Sequence, residues 1–560
     1  MIAPGSISEA LLAASRSPRG IRTIEHDGRA LPLSYAELAG NALAIAGALH
    51  ASGLVPGDRV ALVVPEVGDF IRAFFGISAA GLVPVPLCPP AQAGDIPTFA
   101  RQSRHILEAG RVAAVVTAAA VAPLLDLDGL PLRALLALER LPASRPLDRP
   151  VRVALDAPAL LQFTSGSTAA PKGVVLTHAN LHANIAMIDG PDGLAVGPDD
   201  IGVSWLPLYH DMGLIGMLLT AVYAAVDTVV MSPVLFLKRP TAWLEAISTY
   251  RGTVSFAPNF AYDLCLRRVK PSQVEALDLS SWRVAGCGAE PIRPDILRAF
   301  AERFACAGFR ESAFVASYGL AEHSLAVAFA RDGLHVDAVD AGRLVHRSIA
   351  VPASDGSPAV RLVGCGRAFP GHEVRIVDET GAFVSDRHVG SIVARGPSVM
   401  AGYFDDPAAT AEVLRDGWLD TGDTGYMVDG ELFVCGRAKD LIIRQGRKYH
   451  PPDLEAAIAD LPGIRPSGVV VFGFSRPGEG DEVVAVLEAR ASAASGDIVE
   501  RVRRRVRETA GLELDRVVVT PPGTIPRTTS GKVRRAETRE RFQAGTLLAG
   551  RTAERQSVSR

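Results

Sequence analysis

Cysteine is scarce in this 560-residue chain, and the spacings that would give it a structural use are missing. Six cysteines occur, at 88, 265, 287, 306, 365 and 435, with no C-x-x-C pair. Scattered, unpaired cysteines fit a reducing cytosol better than a secreted disulfide frame, so a cytoplasmic protein is expected. An excess of one sign of charge is also lacking. Lys and Arg number 58 against 61 Asp and Glu, a formal net charge of -3. That balance implies no nucleic-acid partner. Long hydrophobic runs are absent too. The most apolar stretch, 112–125, has 14 residues and contains Pro123. That is short of the ~20 needed to cross a bilayer, so no transmembrane segment is expected and any membrane role is peripheral. The first residues lack a basic n-region and a long apolar h-region, which argues against a signal peptide. No internal repeat or low-complexity block is visible.

What is present is a large apolar complement. Hydrophobic residues make up 48% of the chain, enough for an extensive core. The length suggests about four lobes at ~150 residues each. Ser34 reads as a helix N-cap with Glu37 as its capping-box partner, opening a helix to about His50. Strand readings at 60–64 and 83–87 flank a helical reading at 70–80. Such repetition predicts parallel sheets covered by helices, and a second α/β unit is expected over 150–330. From Arg361 the texture changes to short β-rich segments, such as 373–377 and 391–394, which suggest a small barrel-like subdomain. The last ~120 residues return to mixed α+β. Strands are expected there at 469–472 and 482–487 and a helix at about 496–510.

The chemistry centres on Thr164-Ser165-Gly166-Ser167-Thr168-Ala169-Ala170-Pro171-Lys172-Gly173. Apolar strand-like runs at 158–163 and 174–176 flank it. Small hydroxyl residues, a glycine and a lysine can offer N–H groups, hydroxyls and an ammonium to a polyphosphate. It is not a Walker A loop, because Pro171 and Gly173 stand where a glycine and a Ser/Thr belong and a strand follows. It is not a nucleophile elbow either, whether centred on Ser165 or on Ser167. A phosphate-gripping loop without a serine nucleophile points to ATP used for something other than P-loop hydrolysis.

This loop resembles the phosphate loop of the adenylate-forming enzymes: acyl-CoA synthetases, peptide-synthetase adenylation domains and luciferases. Ser204-Trp-Leu-Pro-Leu-Tyr-His-Asp-Met-Gly-Leu-Ile-Gly216, Ala257-Pro-Asn-Phe-Ala-Tyr262 and Tyr318-Gly-Leu-Ala-Glu322 resemble the fatty acyl-AMP ligase branch. The matches run from about Leu31 to Arg535. The resemblance implies an α/β N-terminal domain over 1–436, built of two α/β subdomains and the β-rich subdomain. A small mobile α+β C-terminal domain over 437–560 would follow. It implies ATP and Mg²⁺ as cofactors, a fatty acid as substrate and the phosphopantetheine of an acyl carrier protein as acceptor.

The resemblance also implies roles residue by residue. Thr164, Ser165, Gly166, Ser167, Thr168 and Lys172 would hold phosphates. Glu322 would carry the metal and Tyr318 would stack on adenine, beside Gly319. Ala321 stands where the wider family has a phosphate-contacting threonine; alanine is common in the fatty acyl-AMP ligases. Gly286-Cys-Gly288-Ala289-Glu-Pro291 would line adenine and the acyl carbonyl. Asp423 would bind ribose, and Arg437, 14 positions on, would grip ribose or the carboxylate face. His210 would line the acyl or pantetheine approach. Lys532, in Pro526-Arg-Thr-Thr-Ser-Gly-Lys532, would be the catalytic lysine, and Lys439 the hinge between adenylation and transfer poses.

Three features separate the alternatives or add to them. The stretch between Glu322 and Gly366 is longer than its counterpart in CoA ligases, and the excess at 332–362 resembles the subgroup's insertion. Its apolar residues need a surface to pack on. It is expected to dock on the large domain and restrain the small one, disfavouring free CoA. Arg501, Arg503, Arg504, Arg505 and Arg507 share one expected helix with Ile498, Val502 and Val506 at core spacing, which reads either as a solvated face or as a dock for an acidic carrier. The competing functions are an ordinary fatty acyl-CoA synthetase and a non-catalytic acyl or nucleotide sensor.

Overall fold

The computed structural model describes residues 5–90, 96–164, 171–444, 447–476, 480–489, 495–527 and 533–547. Helix Tyr35–Ala51 begins where its sequence says it should. Ser34 Oγ accepts the Glu37 N–H at 3.2 Å, and the Glu37 carboxylate accepts the Ser34 N–H at 2.9 Å. Two orphan donors of the first turn are thereby satisfied. Strands Val83–Pro86, Arg59–Val63, Ala114–Thr117 and Ala134–Ala137 form an all-parallel sheet in that spatial order. Pro84 and Pro86 cannot donate to a ladder, and their strand sits at the sheet edge.

A nine-stranded sheet carries most of the second unit. Its parallel centre runs Phe314–Gly319, Val284–Cys287, Val254–Ala257, Ile201–Ser204 and Asp227–Met231. The sheet is extended by strands from outside 150–330. Gly20–Ile24, antiparallel to Ala30–Ser34, pairs in parallel with Asp227–Met231. Arg19 seals that junction with an ion pair to Asp227 at 2.8 Å. A packed aromatic cluster, including Trp205, Phe236, Trp243, Tyr262 and Trp282, fills the core beside this sheet.

The β-rich part is an antiparallel sheet of Glu373–Val377, Gly390–Arg395, Trp418–Val428 and Leu414–Arg415, with Glu431–Arg437 paired to the long strand. Beyond it, Ile464–Arg476, Gly480–Ala489 and Arg516–Thr520 make a separate sheet with its own core. Helix Ser495–Ala510 covers that sheet, burying Ile498, Val502 and Val506. Its arginines are largely engaged at home. Arg501 pairs with Asp497, Arg503 with Glu500 and Arg507 with Glu513, while Arg505 donates to Ala457 O. Among the described residues Arg504 makes no such contact, and it stands exposed.

The 332–362 segment is folded. Val336–Asp340 and Ala359–Val363 form an antiparallel pair around helix Ala341–Arg347, which Asp340 caps. Val339, Leu344, Ala350 and Leu362 pack on Tyr426, Phe433 and Cys435 of the β-rich part. The Asp337 carboxylate accepts hydrogen bonds from Tyr426 Oη and Arg387, each at 2.9 Å. On the other side Val345 packs against the C-terminal core. No helix among the described residues is long and apolar enough to cross a membrane.

Candidate active site

A cleft of about 1480 Å³ lies where the large part, the β-rich sheet and the C-terminal part meet. Strands Pro158–Thr164 and Lys172–Thr177 form a hairpin at its wall, with Thr164 directly opposite Lys172. Ser165, Gly166, Ser167 and Thr168 lie outside the described residues. Thr164 and Lys172 both line the cleft.

A third strand, Gly402–Tyr403, zips onto this hairpin with Tyr403 opposite Val174. The Lys172 ammonium sits 4.8 Å from the centre of the Tyr403 ring. The Tyr403 hydroxyl donates to Glu322 Oε1 at 2.9 Å. Burial, and after it the Glu322 charge, raises the Tyr403 phenol well above its ordinary range, so the hydroxyl keeps its proton. Glu322 itself stands in the short turn Ala321–His323, and its carbonyl accepts the Met400 N–H at 2.9 Å. The phosphate hairpin and the metal-candidate carboxylate are thus tied to one short segment. The sequence reading missed Tyr403, because a Gly-Tyr pair in a β-rich stretch carries no signal of its own.

A second polar chain faces the same cleft. Tyr318 is buried at the end of strand Phe314–Gly319, and its hydroxyl donates to Asp423 Oδ2 at 2.7 Å. Asp423 lies opposite Arg437 across the Trp418–Val428 and Glu431–Arg437 pair, with Arg437 Nε 3.5 Å from Asp423 Oδ1. The 14-residue spacing in the sequence is therefore a cross-strand pair of one hairpin. Desolvation, then the Asp423 charge, pushes the Tyr318 phenol upward. Tyr318 acts as a prop for Asp423, a part the motif did not suggest.

The remaining candidates divide. Gly319 and Ala289 line the cleft. Ala289 adopts φ +67°, a left-handed conformation that turns the chain away from strand Val284–Cys287. Gly288 stands behind that wall. A Cβ there would lie 2.2 Å from Ser317 Oγ, so only glycine permits the close approach of the two strands. His210 lines the cleft just before the π-helix Met212–Leu219, its ring 5.0 Å from that of Tyr209. An apolar side of the cleft is formed by Ile188, Met217, Phe256, Leu325 and Phe329.

Lys532 lies outside the described residues, but the chain on either side of 528–532 reaches the cleft through Arg527 and Val533. These two residues form a β-bridge, and the Arg534 N–H donates to Pro526 O at 2.9 Å. The buried Glu488 carboxylate accepts the N–H groups of Gly523 and Ile525 at 2.8 and 3.0 Å and pairs with Arg465 at 2.9 Å. Arg535 pairs with Glu455 at 2.8 Å and also bonds Asp440, in the turn that holds Lys439.

Comparison with known proteins bears on the whole chain. Residues 13–404 match the family model described as AMP-binding enzyme. Residues 439–551 match the model described as Disco-interacting protein 2-like, AMP domain. A Caulobacter vibrioides protein, named provisionally as an acyl-CoA synthetase, is 38% identical over 97% of this chain and 96% of its own length. The medium-chain-fatty-acid–[acyl-carrier-protein] ligase JamA of Moorena producens is 34% identical over 92% of this chain and 90% of its own length. A solved structure from work on fatty acyl-adenylate ligases of E. coli and L. pneumophila superposes with a TM-score of 0.91 at 38% identity, covering 96% of this chain and 98% of that one. The chain belongs to the AMP-binding enzyme family, in its fatty acyl-adenylate ligase branch.

Proposed function

We propose that the protein activates a medium- or long-chain fatty acid with ATP, releases pyrophosphate, and hands the acyl group to the phosphopantetheine of an acyl carrier protein. The observation that carries this reading is the meeting of two polar chains, Lys172–Tyr403–Glu322 and Tyr318–Asp423–Arg437, across one cleft with an apolar side. The name of JamA, a carrier-protein ligase, supports the choice of acceptor.

The residues divide the work by chemistry. Asp423 spends one acceptor position on Tyr318 and faces Arg437 with another. A carboxylate is a strong acceptor for paired hydroxyls, which suits Asp423 to the ribose. Lys172 brings an ammonium toward the polyphosphate. The apolar side accepts the alkyl chain and leaves its carboxylate beside the nucleotide. In the first step a carboxylate oxygen bonds the α-phosphorus as the bond to the bridging oxygen breaks, and pyrophosphate leaves with the electron pair. In the second, a thiol sulfur attacks the acyl carbonyl and AMP leaves. Two anions meet in the first step, so fixed positive charge and N–H donors lower its barrier most.

Among the described residues no three His, Cys, Asp or Glu side chains gather into a metal-binding group. Glu322 is the protein carboxylate that would hold Mg²⁺, with nucleotide phosphates supplying further oxygens. Mg²⁺ bound there would draw charge from the phosphate oxygens.

Fatty-acid-dependent ATP–pyrophosphate exchange tests the activation step, and its absence with every chain length would favour the sensor reading. The Caulobacter relative's name favours a second reading, acyl-CoA synthesis. Mass spectrometry of products made with CoA and with a phosphopantetheine-bearing carrier separates the two.

The hinge reading makes its own prediction. Lys439 sits in the turn Ala438–Asp440, where the β-rich sheet gives way to the C-terminal part. Proline at this position fixes φ and removes an N–H. Lys439→Pro is expected to cut acyl transfer by roughly tenfold or more while adenylation falls less. Single-turnover assays of each step check this, and equal loss of both would argue against a hinge.

A further inference from the structure

Tyr403 makes two contacts that no motif assigns to it, one to the cation and one to the carboxylate of the proposed nucleotide site. Its ring lies under the Lys172 ammonium at 4.8 Å, and its hydroxyl is bonded to Glu322 Oε1 at 2.9 Å. The backbone around it is fastened in both directions. The Ala401 N–H donates to Val175 O at 3.0 Å and the Phe404 N–H to Gly173 O at 2.7 Å, which binds the segment to the phosphate hairpin. The Met400 N–H donates to Glu322 O at 2.9 Å, which binds it to the turn that carries Glu322. The Tyr403 N–H is satisfied by Thr410 Oγ1 at 2.9 Å, so the strand is also held from behind.

We propose that Tyr403 is a positioning residue that sets Lys172 and Glu322 in register for a metal–triphosphate. The inference rests on the adenylation reading and adds a residue to it. The physical basis is separable by atom. The ring face attracts the ammonium through its quadrupole, which limits where that flexible side chain points. The hydroxyl occupies one carboxylate oxygen and so fixes the aim of the other, as outer-shell hydrogen bonds do for metal-binding carboxylates. Glu322 would then present one free oxygen to a metal, and Lys172 would be held toward the phosphates. The phenol serves only as a hydrogen-bond donor and takes no proton from substrate.

The two contacts can be removed in turn. Tyr403→Phe keeps the ring and drops the hydroxyl; Tyr403→Leu drops both. ATP binding is measured by calorimetry without fatty acid, in the presence of Mg²⁺ and in EDTA, so that no turnover enters the readout. The unsubstituted protein should bind ATP more tightly with Mg²⁺. In Tyr403→Phe the Mg²⁺-dependent gain should shrink by roughly 10-fold, the scale of a lost hydrogen bond to a charged group, with EDTA binding unchanged. In Tyr403→Leu binding in EDTA should weaken as well. In a Glu322→Gln background, the effect of Tyr403→Phe on the Mg²⁺ gain should disappear, because it acts through that carboxylate. Tyr403→Phe binding that matches the unsubstituted protein in both conditions would overturn the proposal. So would an equal loss with and without metal, which would mark a purely structural part. Failure of the unsubstituted protein to bind ATP at all would count first against the adenylation reading and would remove the inference with it.

Discussion

Replacing Lys532 by alanine is expected to slow acyl-adenylate formation by ~10²–10³ while the protein stays folded, the usual cost of losing one donor aimed at developing charge. The reaction drives a carboxylate into a polyphosphate, and a lysine offers a compact cation with three donors on a flexible stem. The sequence 526–532 resembles the family's catalytic-lysine segment, and Arg527 and Val533 on its flanks line the cleft. The fold should survive because the anchors stand on those flanks. Glu488 holds Gly523 and Ile525, and Arg535 holds Glu455 and Asp440. None of those contacts uses the Lys532 side chain. Quenched single-turnover assays of acyl-AMP give the rate, and circular dichroism checks the fold. Transfer from preformed acyl-adenylate should be less affected, since that step adds no anion to a polyphosphate. Adenylation at the unsubstituted rate would end the assignment.

The parts of this molecule that could be read in the sequence are those whose signals are local. Ser34 and Glu37 are three residues apart and close a capping box, so the helix start was legible. The alternation at 373–377 returns as strand Glu373–Val377. The 14-residue spacing of Asp423 and Arg437 was legible only as a match to the family, and the structure shows it to be a cross-strand pair of one hairpin. The parts that were not legible depend on partners far along the chain. Strand Gly20–Ile24 completes a sheet by pairing with Asp227–Met231, some 200 residues on, and its own pattern holds nothing to say so. Tyr318 looked like an aromatic face, yet its hydroxyl bonds Asp423, 105 positions away. Tyr403 meets Glu322 only because a two-residue strand lands on the phosphate hairpin. The arginine-rich helix reads either as a solvated face or as a carrier dock, and its local contacts bear on the first. Asp497, Glu500 and Glu513 supply counter-charges to three of its five arginines, a feature that depends on side-chain geometry and not on residue type.

Loosening the 332–362 segment is expected to raise acyl-CoA formation without raising adenylation. The segment is fixed to the β-rich part on one side and touches the C-terminal part on the other. Val339, Leu344, Ala350 and Leu362 share a core with Tyr426, Phe433 and Cys435, and Asp337 is bonded to Tyr426 and Arg387. Val345 packs against the C-terminal core. Contacts of this kind favour one pose of the C-terminal part over others. A bias of ~3 kcal/mol is enough to hold a competing pose below ~1%. Free CoA would have to wait for that rare pose, whereas a carrier protein could add binding energy of its own. Deleting 337–358 should release the restraint most fully, but it also strips apolar cover from Tyr426 and Phe433. Val345→Asp is the cleaner variant, because it attacks the C-terminal contact and leaves the docked side intact. Losing a partly buried valine and placing a charge there should cost the restrained pose about 1.5 kcal/mol, or roughly tenfold in acyl-CoA formation. Adenylation should stay within about twofold, since Val345→Asp removes none of the contacts around Lys172, Glu322 and Asp423. If Val345→Asp and the deletion both adenylate normally and make no more acyl-CoA, the restraint is not what excludes CoA, and a missing pantetheine tunnel takes its place. Efficient acyl-CoA synthesis by the unsubstituted protein would remove both explanations, because there would be no exclusion left to explain.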